Sequence, residues 1–150
     1  MAIKLDETDL HLLSLLEKDS KARMHVLGRR LSLPASTVHH RVKRLESEGI
    51  IRSYGISKDY SAMGIKLKAY IMVFVDVTAL KRMKKSQVEL AREMRKIGNV
   101  QSVDIITGDA DLLVTVRCRD IDDFQKVLLG RLQSIEGITK TRSMIVVAEG

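Results

Sequence analysis

The sequence predicts an α+β chain in two parts: three short helices over residues 1–60, then strands and helices in alternation over residues 66–150. Three observations carry that expectation. Apolar residues recur at helical spacing as far as Gly49 and afterwards fall into strand-like alternation between shorter helical stretches. Gly49, Gly98, Gly108 and Gly137 stand where one element gives way to the next, and the only proline, Pro34, stands where a helix begins. The net charge of +7 is local: Lys21 to Lys58 holds nine Lys/Arg and two acids, and the rest of the chain balances at 17 of each.

The first helix opens at Asp6, with Asp9 three places on completing an acidic capping box. Leu10, Leu13 and Leu16 set its apolar stripe, which Leu12 and Leu15 broaden, and it fades near Asp19 and Ser20. A second helix fits Met24 to Leu31 and buries Val26, Leu27 and Leu31. Ser32-Leu33-Pro34 interrupts, because proline suits a helix's first turn and not its interior. A third helix runs from near Pro34 to Gly49. Val38, Val42 and Leu45 share one face of it. At about 100° per residue the opposite face carries Ser36, His40, Lys43 and Ser47. Thr37 and Arg44 flank that face on one side and His39 on the other. Arg41 lies nearer the buried stripe and is expected to reach past it to solvent or a phosphate. A short helix, a turn and a longer helix with a polar, basic outer face match a DNA-reading helix-turn-helix. The DNA-contacting set is therefore Ser36, Thr37, His39, His40, Arg41, Lys43 and Arg44. A metal site at His39 and His40 is disfavoured, since adjacent helical residues point about 100° apart. Ile50 to Ile56 reads as a strand leading out of this domain, and Lys58 to Gly64 as a linker.

In the second part, Ala69 to Val77 is a strand apolar on both faces. A helix from Lys84 to Lys96 turns Leu90, Ala91, Met94 and Ile97 inward. Val100 to Thr107 and Leu112 to Cys118 are strands joined by a turn at Gly108-Asp109-Ala110. A helix from Asp120 to Gly137 presents Phe124, Val127, Leu128 and Leu132, and Ile138 to Ala148 is the last strand. The order βαββαβ is the ferredoxin-like split motif, an antiparallel sheet with both helices on one face. The other face would expose Tyr70, Met72 and Phe74, and an apolar face of that kind marks an interface. A two-fold homodimer is the expected occupant.

Composition bounds the function. The 150 residues are 45% hydrophobic, enough for a core, yet no apolar run approaches a membrane span. No signal-peptide core precedes Asp6. The single Cys118 excludes an intramolecular disulfide and a cysteine-only metal centre. A cytoplasmic protein is expected. The basic stretch favours a polyanion, because neutralised phosphates release counterions. There is no phosphate loop, HExxH or GxSxG motif, and all four histidines (His11, His25, His39, His40) lie in the first part. An enzyme is not expected, nor a cofactor. The most suggestive polar feature of the second part is Thr107-Gly108-Asp109-Ala110-Asp111. It reads as a plain turn or as a small-molecule pocket in which backbone amides take a carboxylate and Asp109 or Asp111 an amino group. Thr141 and Ser143 could add hydrogen bonds.

These residues together are recognisable. Leu5-Asp6-Glu7-Thr8-Asp9, Ser36-Thr37-Val38 running into Arg41-Val42-Lys43-Arg44-Leu45-Glu46, then Glu48-Gly49-Ile50-Ile51, resemble the Lrp/AsnC regulators, as do Thr107 to Leu112 and Ser143 to Val146. The resemblance covers essentially the whole chain. It implies a winged-helix-like DNA-binding domain joined to a sheet domain, homodimers that assemble to tetramers or octamers, and an amino-acid effector held near the glycine turn. Two residues depart from the family pattern. Pro34 stands where a capping serine is usual, which leaves Ser32 to supply the cap, and Ala110 stands where an aromatic is frequent. The rival expectations are a DNA-compacting protein with little sequence preference and a haem-biosynthesis decarboxylase on the same fold. The lack of histidine in the second part argues against the decarboxylase.

Overall fold

A computed structural model describes residues 4–149; Met1 to Ile3, where the leaderless start was read, and Gly150 lie outside the described residues. The chain forms two compact units, one ending at Lys58 and the other beginning at Asp59.

The first unit holds α1 (Glu7–Lys18), α2 (Met24–Leu31) and α3 (Ala35–Ser47). The capping box of α1 is formed: Asp9 N–H donates to Asp6 Oδ1 at 2.7 Å and Asp6 N–H to Asp9 Oδ2 at 3.2 Å. The core is Leu12, Leu15, Leu16, Leu27, Val38, Val42 and Leu45, all buried. The buried stripe of α1 thus differs from the expected one: Leu10 is 55% exposed and Leu13 only partly buried. Its positions are Asp9, Leu12 and Leu16, spaced i, i+3 and i+7 on one face. Ser32 does not cap α3. It ends α2 in the left-handed conformation at φ 54°, and Pro34 precedes α3 with no side-chain cap bond. Gly28 is required by space, since a Cβ there would stand 2.6 Å from the Leu33 carbonyl oxygen. The α2–α3 turn closes on that bare backbone, where the Leu33 N–H donates to the Gly28 carbonyl at 2.9 Å. The expected strand Ile50–Ile56 is not one. The segment is extended, but among the described residues it pairs with no strand, and a strand exists only through a ladder partner.

The second unit begins with a turn rather than a loose linker. Asp59 Oδ1 accepts from Ala62 N–H at 2.9 Å, and the Arg117 guanidinium lies 4.0 Å above the Tyr60 ring. Then come β1 (Leu67–Val75), α4 (Val77–Arg82), α5 (Gln87–Met94), β2 (Val100–Ile105), β3 (Leu112–Cys118), α6 (Ile121–Val127) with a π-helical turn over Leu128–Leu132, and β4 (Ile138–Ile145). The sheet order is β2-β3-β1-β4 with every pair antiparallel, the ferredoxin-like arrangement. One helix was expected between the first two strands and two are present. Asp76 ends β1 by accepting from Thr78 and Ala79 N–H at 2.8 and 3.0 Å, which starts α4 early. Lys84 then breaks the helix at φ 53°, and a Ser86–Glu89 capping box starts α5.

Ala69, Ile71 and Val73 of β1 meet Val114 and Val116 of β3 on the covered face. There they pack against Leu80, Leu90, Met94, Phe124, Val127 and Leu132 from the helices. Tyr70, Met72 and Phe74 lie on the other face and are only half-buried, and none of them belongs to the core formed with this unit's helices. Among the described residues no helix is long and apolar enough to cross a membrane.

Candidate nucleic-acid interface

Helix α3 is anchored by Val38 and Leu45, fully buried, and by Val42. Helical geometry then turns the opposite face outward. Ser36, His40, Lys43 and Ser47 are all exposed, His39 is exposed beside them, and Thr37 is half-buried at the flank. The rings of His39 and His40 stand 6.1 Å apart at 72°, edge to face. Two hydroxyls, an imidazole and an ammonium along one helical face can donate to and accept from base edges and phosphates in a major groove.

Arg41 departs from expectation. Its guanidinium turns inward onto α1, and Nη1 donates to Asp6 Oδ2 and Asp9 Oδ1, both at 2.7 Å. Arg44 Nη2 donates to the other oxygen of Asp9, Oδ2. The reason is charge burial: Asp9 is wholly buried, and an unpaired carboxylate there would be costly. These contacts also pull Asp6 below the usual carboxylate range, chiefly through the Arg41 bond and then through the Asp9 N–H. The same two carboxylates raise Arg41. Both arginines were expected at DNA; as placed, they are bound to α1.

Lys43 remains 65% exposed and its ammonium sits 3.0 Å from Glu46 Oε2. An exposed pair of this kind contributes about 0–1 kcal/mol, so a phosphate can replace Glu46. The Tyr54 hydroxyl donates to Glu46 Oε1 at 2.8 Å, tying the extended segment to α3. Glu46 is held low by Lys43 first and Tyr54 second, and Tyr54 is pushed up by burial and then by Glu46. Sequence reading did not assign Asp9, Glu46 or Tyr54. Nor did it assign Arg29 and Arg30, exposed on α2 and, among the described residues, in no ion pair. Asp9 was legible as the continuation of the Leu12–Leu16 face; the Tyr54 contact had no sequence signal.

In the second unit, Thr107, Gly108 and Asp109 are exposed on the β2–β3 turn. Gly108 holds φ 124°, so its glycine is explained by conformation, and nothing lies within 4 Å of where a Cβ would be. Ala110 is buried, which leaves only its backbone to a ligand. Asp111 is not a free carboxylate. Its Oδ2 accepts from Val75 N–H at 2.9 Å and its Oδ1 from Gln87 Nε2 at 3.5 Å, closing the end of β1. Asp109 is thus the exposed carboxylate of the turn, and Asp111 the one engaged within the fold. On β4, Thr141 Oγ1 accepts from Gln133 Nε2 at 2.6 Å, while Ser143 is exposed. Thr141 and Ser143 pair with Val73 and Ile71 of β1, so that strand separates them from the turn.

Known proteins agree with this division. A winged helix-turn-helix DNA-binding model matches residues 5–52, and the Lrp/AsnC ligand binding domain model matches residues 72–149. An HTH-type transcriptional regulator of Pyrococcus furiosus is 32% identical over 145 residues, covering 97% of this chain and 94% of its own. A Neisseria meningitidis transcriptional regulator solved with L-Met superposes with a TM-score of 0.88 at 28% identity, covering 97% of this chain and 92% of that one. A feast or famine regulatory protein from M. tuberculosis, complexed with L-methionine, superposes with a TM-score of 0.85 at 25% identity, with 97% and 94% covered.

Proposed function

The chain belongs to the Lrp/AsnC family of transcription regulators, and from that premise we propose that it reads specific double-stranded DNA through α3 as a homodimer, under the control of an amino acid. The observation that carries the reading is the exposed face of α3, where Ser36, His40 and Lys43 share one outward strip inside the basic stretch from Lys21 to Lys58, which holds nine Lys/Arg and two acids. Thr37 and His39 flank that strip and belong to the same contact set. Arg41 and Arg44 are withdrawn from it by Asp9.

Dimerisation is supported by the open sheet face at Tyr70, Met72 and Phe74, which is apolar and half-exposed. Two copies related by a two-fold would present two copies of α3 to two half-sites, and further association to tetramers or octamers follows the family pattern. An amino-acid effector is supported by the ligand-binding model over residues 72–149 and by the L-methionine complexes of the two relatives. Its carboxylate would meet the exposed amides around Thr107, Gly108 and Asp109, with the Asp109 carboxylate for its amino group. Thr141 and Ser143 would join only from another copy. The effector acts by binding one assembly state more tightly than another.

The test is footprinting on genomic fragments with and without each amino acid, L-methionine first. Discrete protected sites that change with one amino acid are expected. Uniform coverage would replace this reading with that of a DNA-compacting protein, and protection indifferent to all twenty would remove the effector.

A further inference from the structure

We propose that Asp9 is the positioning residue of the reading helix: its buried carboxylate takes both Arg41 and Arg44 out of the DNA-facing charge and sets the rotation of α3 about its own axis. The inference rests on the assignment of α3 as the DNA-reading element.

Asp9 is the one buried charged or polar residue among the described residues, with its side chain 1% exposed. Every oxygen it has is used. Oδ1 accepts from Arg41 at 2.7 Å, while Oδ2 accepts from Arg44 and from the Asp6 N–H. Arg41 and Arg44 are three residues apart, so they leave α3 on the same flank, between the Val38–Val42–Leu45 stripe and the Ser36–His40–Lys43 strip. An apolar stripe alone lets a helix roll by a fraction of a residue. Two guanidiniums held by one carboxylate on α1, whose own position is set by Leu12 and Leu16, remove that freedom.

A buried ion cluster is weak evidence for stability, because an apolar substitute of the same volume often serves as well. Its use here is orientation. It also has an electrostatic consequence. Arg41 and Arg44 face Asp6 and Asp9, and Glu48 Oε2 lies 4.0 Å from Arg44 Nε, so the cluster carries no net positive charge, and Lys43 is left as the cation of α3 available to phosphate.

Salt dependence separates this proposal from a merely structural bond, since each phosphate neutralised contributes about one unit of slope in a plot of log affinity against log salt. Wild type, Lys43→Gln, Arg44→Gln and Asp9→Asn are compared on a footprinted site and on random DNA of equal length, with circular dichroism melts alongside. Lys43→Gln is expected to flatten the slope by about one unit on both DNAs. Arg44→Gln should leave the slope on random DNA unchanged, while lowering the ratio of specific to random affinity about tenfold, one misplaced base contact's worth. Asp9→Asn keeps the shape and the cap acceptor and frees Arg44 while Arg41 stays on Asp6, so its slope should steepen by about one unit as specificity falls. A slope for Arg44→Gln that flattens as Lys43→Gln does would overturn the proposal, because Arg44 would then touch phosphate. So would an Asp9→Asn protein that melts lower yet keeps the wild-type slope and ratio. If Asp9→Asn does not fold, the two α3 variants decide. If the wild type prefers no site, the reading of α3 has failed, and the random-DNA slopes still judge Arg44.

Discussion

The two units finish their cores differently, and each leaves one property unspent. In the first unit Leu12, Leu27, Val38 and Leu45 are fully buried, and even the buried carboxylate Asp9 is completely paired. What remains on the outside is charge, on Lys43, Arg29 and Arg30. The second unit buries Ile71, Val73, Leu112 and Val114 just as completely on one side of its sheet. On the other side it leaves Tyr70, Met72 and Phe74 half-exposed and Met144 43% exposed. A domain that binds a polyanion needs a self-sufficient core and an uncompensated charge. A domain that assembles needs an uncompensated apolar face.

The sharpest break of that contrast is a charge on the open sheet face. Met72→Lys should cost the assembled state about 3–5 kcal/mol for each ammonium buried without a partner, since the residue facing it across the strand pair is Arg142. Sedimentation is expected to show monomers that keep wild-type circular dichroism, because Met72 takes no part in the core beneath the sheet. An unchanged mass would mean that this face is not the interface. The counterpart in the first unit is Gly28→Ala. Its Cβ would press on the Leu33 carbonyl at 2.6 Å, and overpacking of that kind costs about 1–3 kcal/mol. DNA affinity should fall while the oligomer persists. Loss of both together would show that the two units do not behave independently.

Asp111→Ala is milder. It strips the acceptor from the Val75 N–H at the end of β1 and should cost the second unit about 1 kcal/mol. A lower melting temperature with any effector response retained is the expected result. A response lost at unchanged stability would restore Asp111 to ligand binding.

How far the sequence revealed this molecule depends on whether a feature is local. Periods and caps are local, so α1, α2, α3 and four strands in the right order were all legible, and so were Val38, Val42 and Leu45 as the face that hides α3's back. Leu10 misled because a leucine at helical spacing was taken as core, when the face is set by what it meets; Asp9, Leu12 and Leu16 meet the other helices. Lys84 gave no warning of its positive φ, since only the capping pairs at Asp76 and at Ser86–Glu89 force the break there. Ile50 to Ile56 has strand composition and no partner, and composition cannot supply one. At the interface, the outward strip followed from the helical wheel, whereas the inward turn of Arg41 depended on a carboxylate 32 residues away.

The smallest effect is electrostatic and separates the units by the source of their carboxylate stabilisation. Asp6 is lowered mainly by Arg41, and Glu46 by Lys43. Asp123 and Glu89 are lowered mainly by backbone N–H groups, those of Arg119 and Ser86. All four are depressed from ordinary values of 3.8 for Asp and 4.5 for Glu. Their stabilisation is therefore complete above those values and is lost as pH falls through the lower folded ones; none of it is lost between pH 7 and 5. Salt distinguishes the two sources, because the screening length shrinks from about 10 Å at 0.1 M to about 3 Å at 1 M and acts on exposed ion pairs far more than on cap bonds. Titration of the carboxyl carbons by NMR should find Asp6 and Glu46 moving back toward ordinary values in 1 M salt, with Asp123 and Glu89 held where they were. Equal movement in all four would mean that the first unit's acids are no more dependent on its cations than the second unit's are, and the contrast in charge between the units would not extend to how each holds its helices.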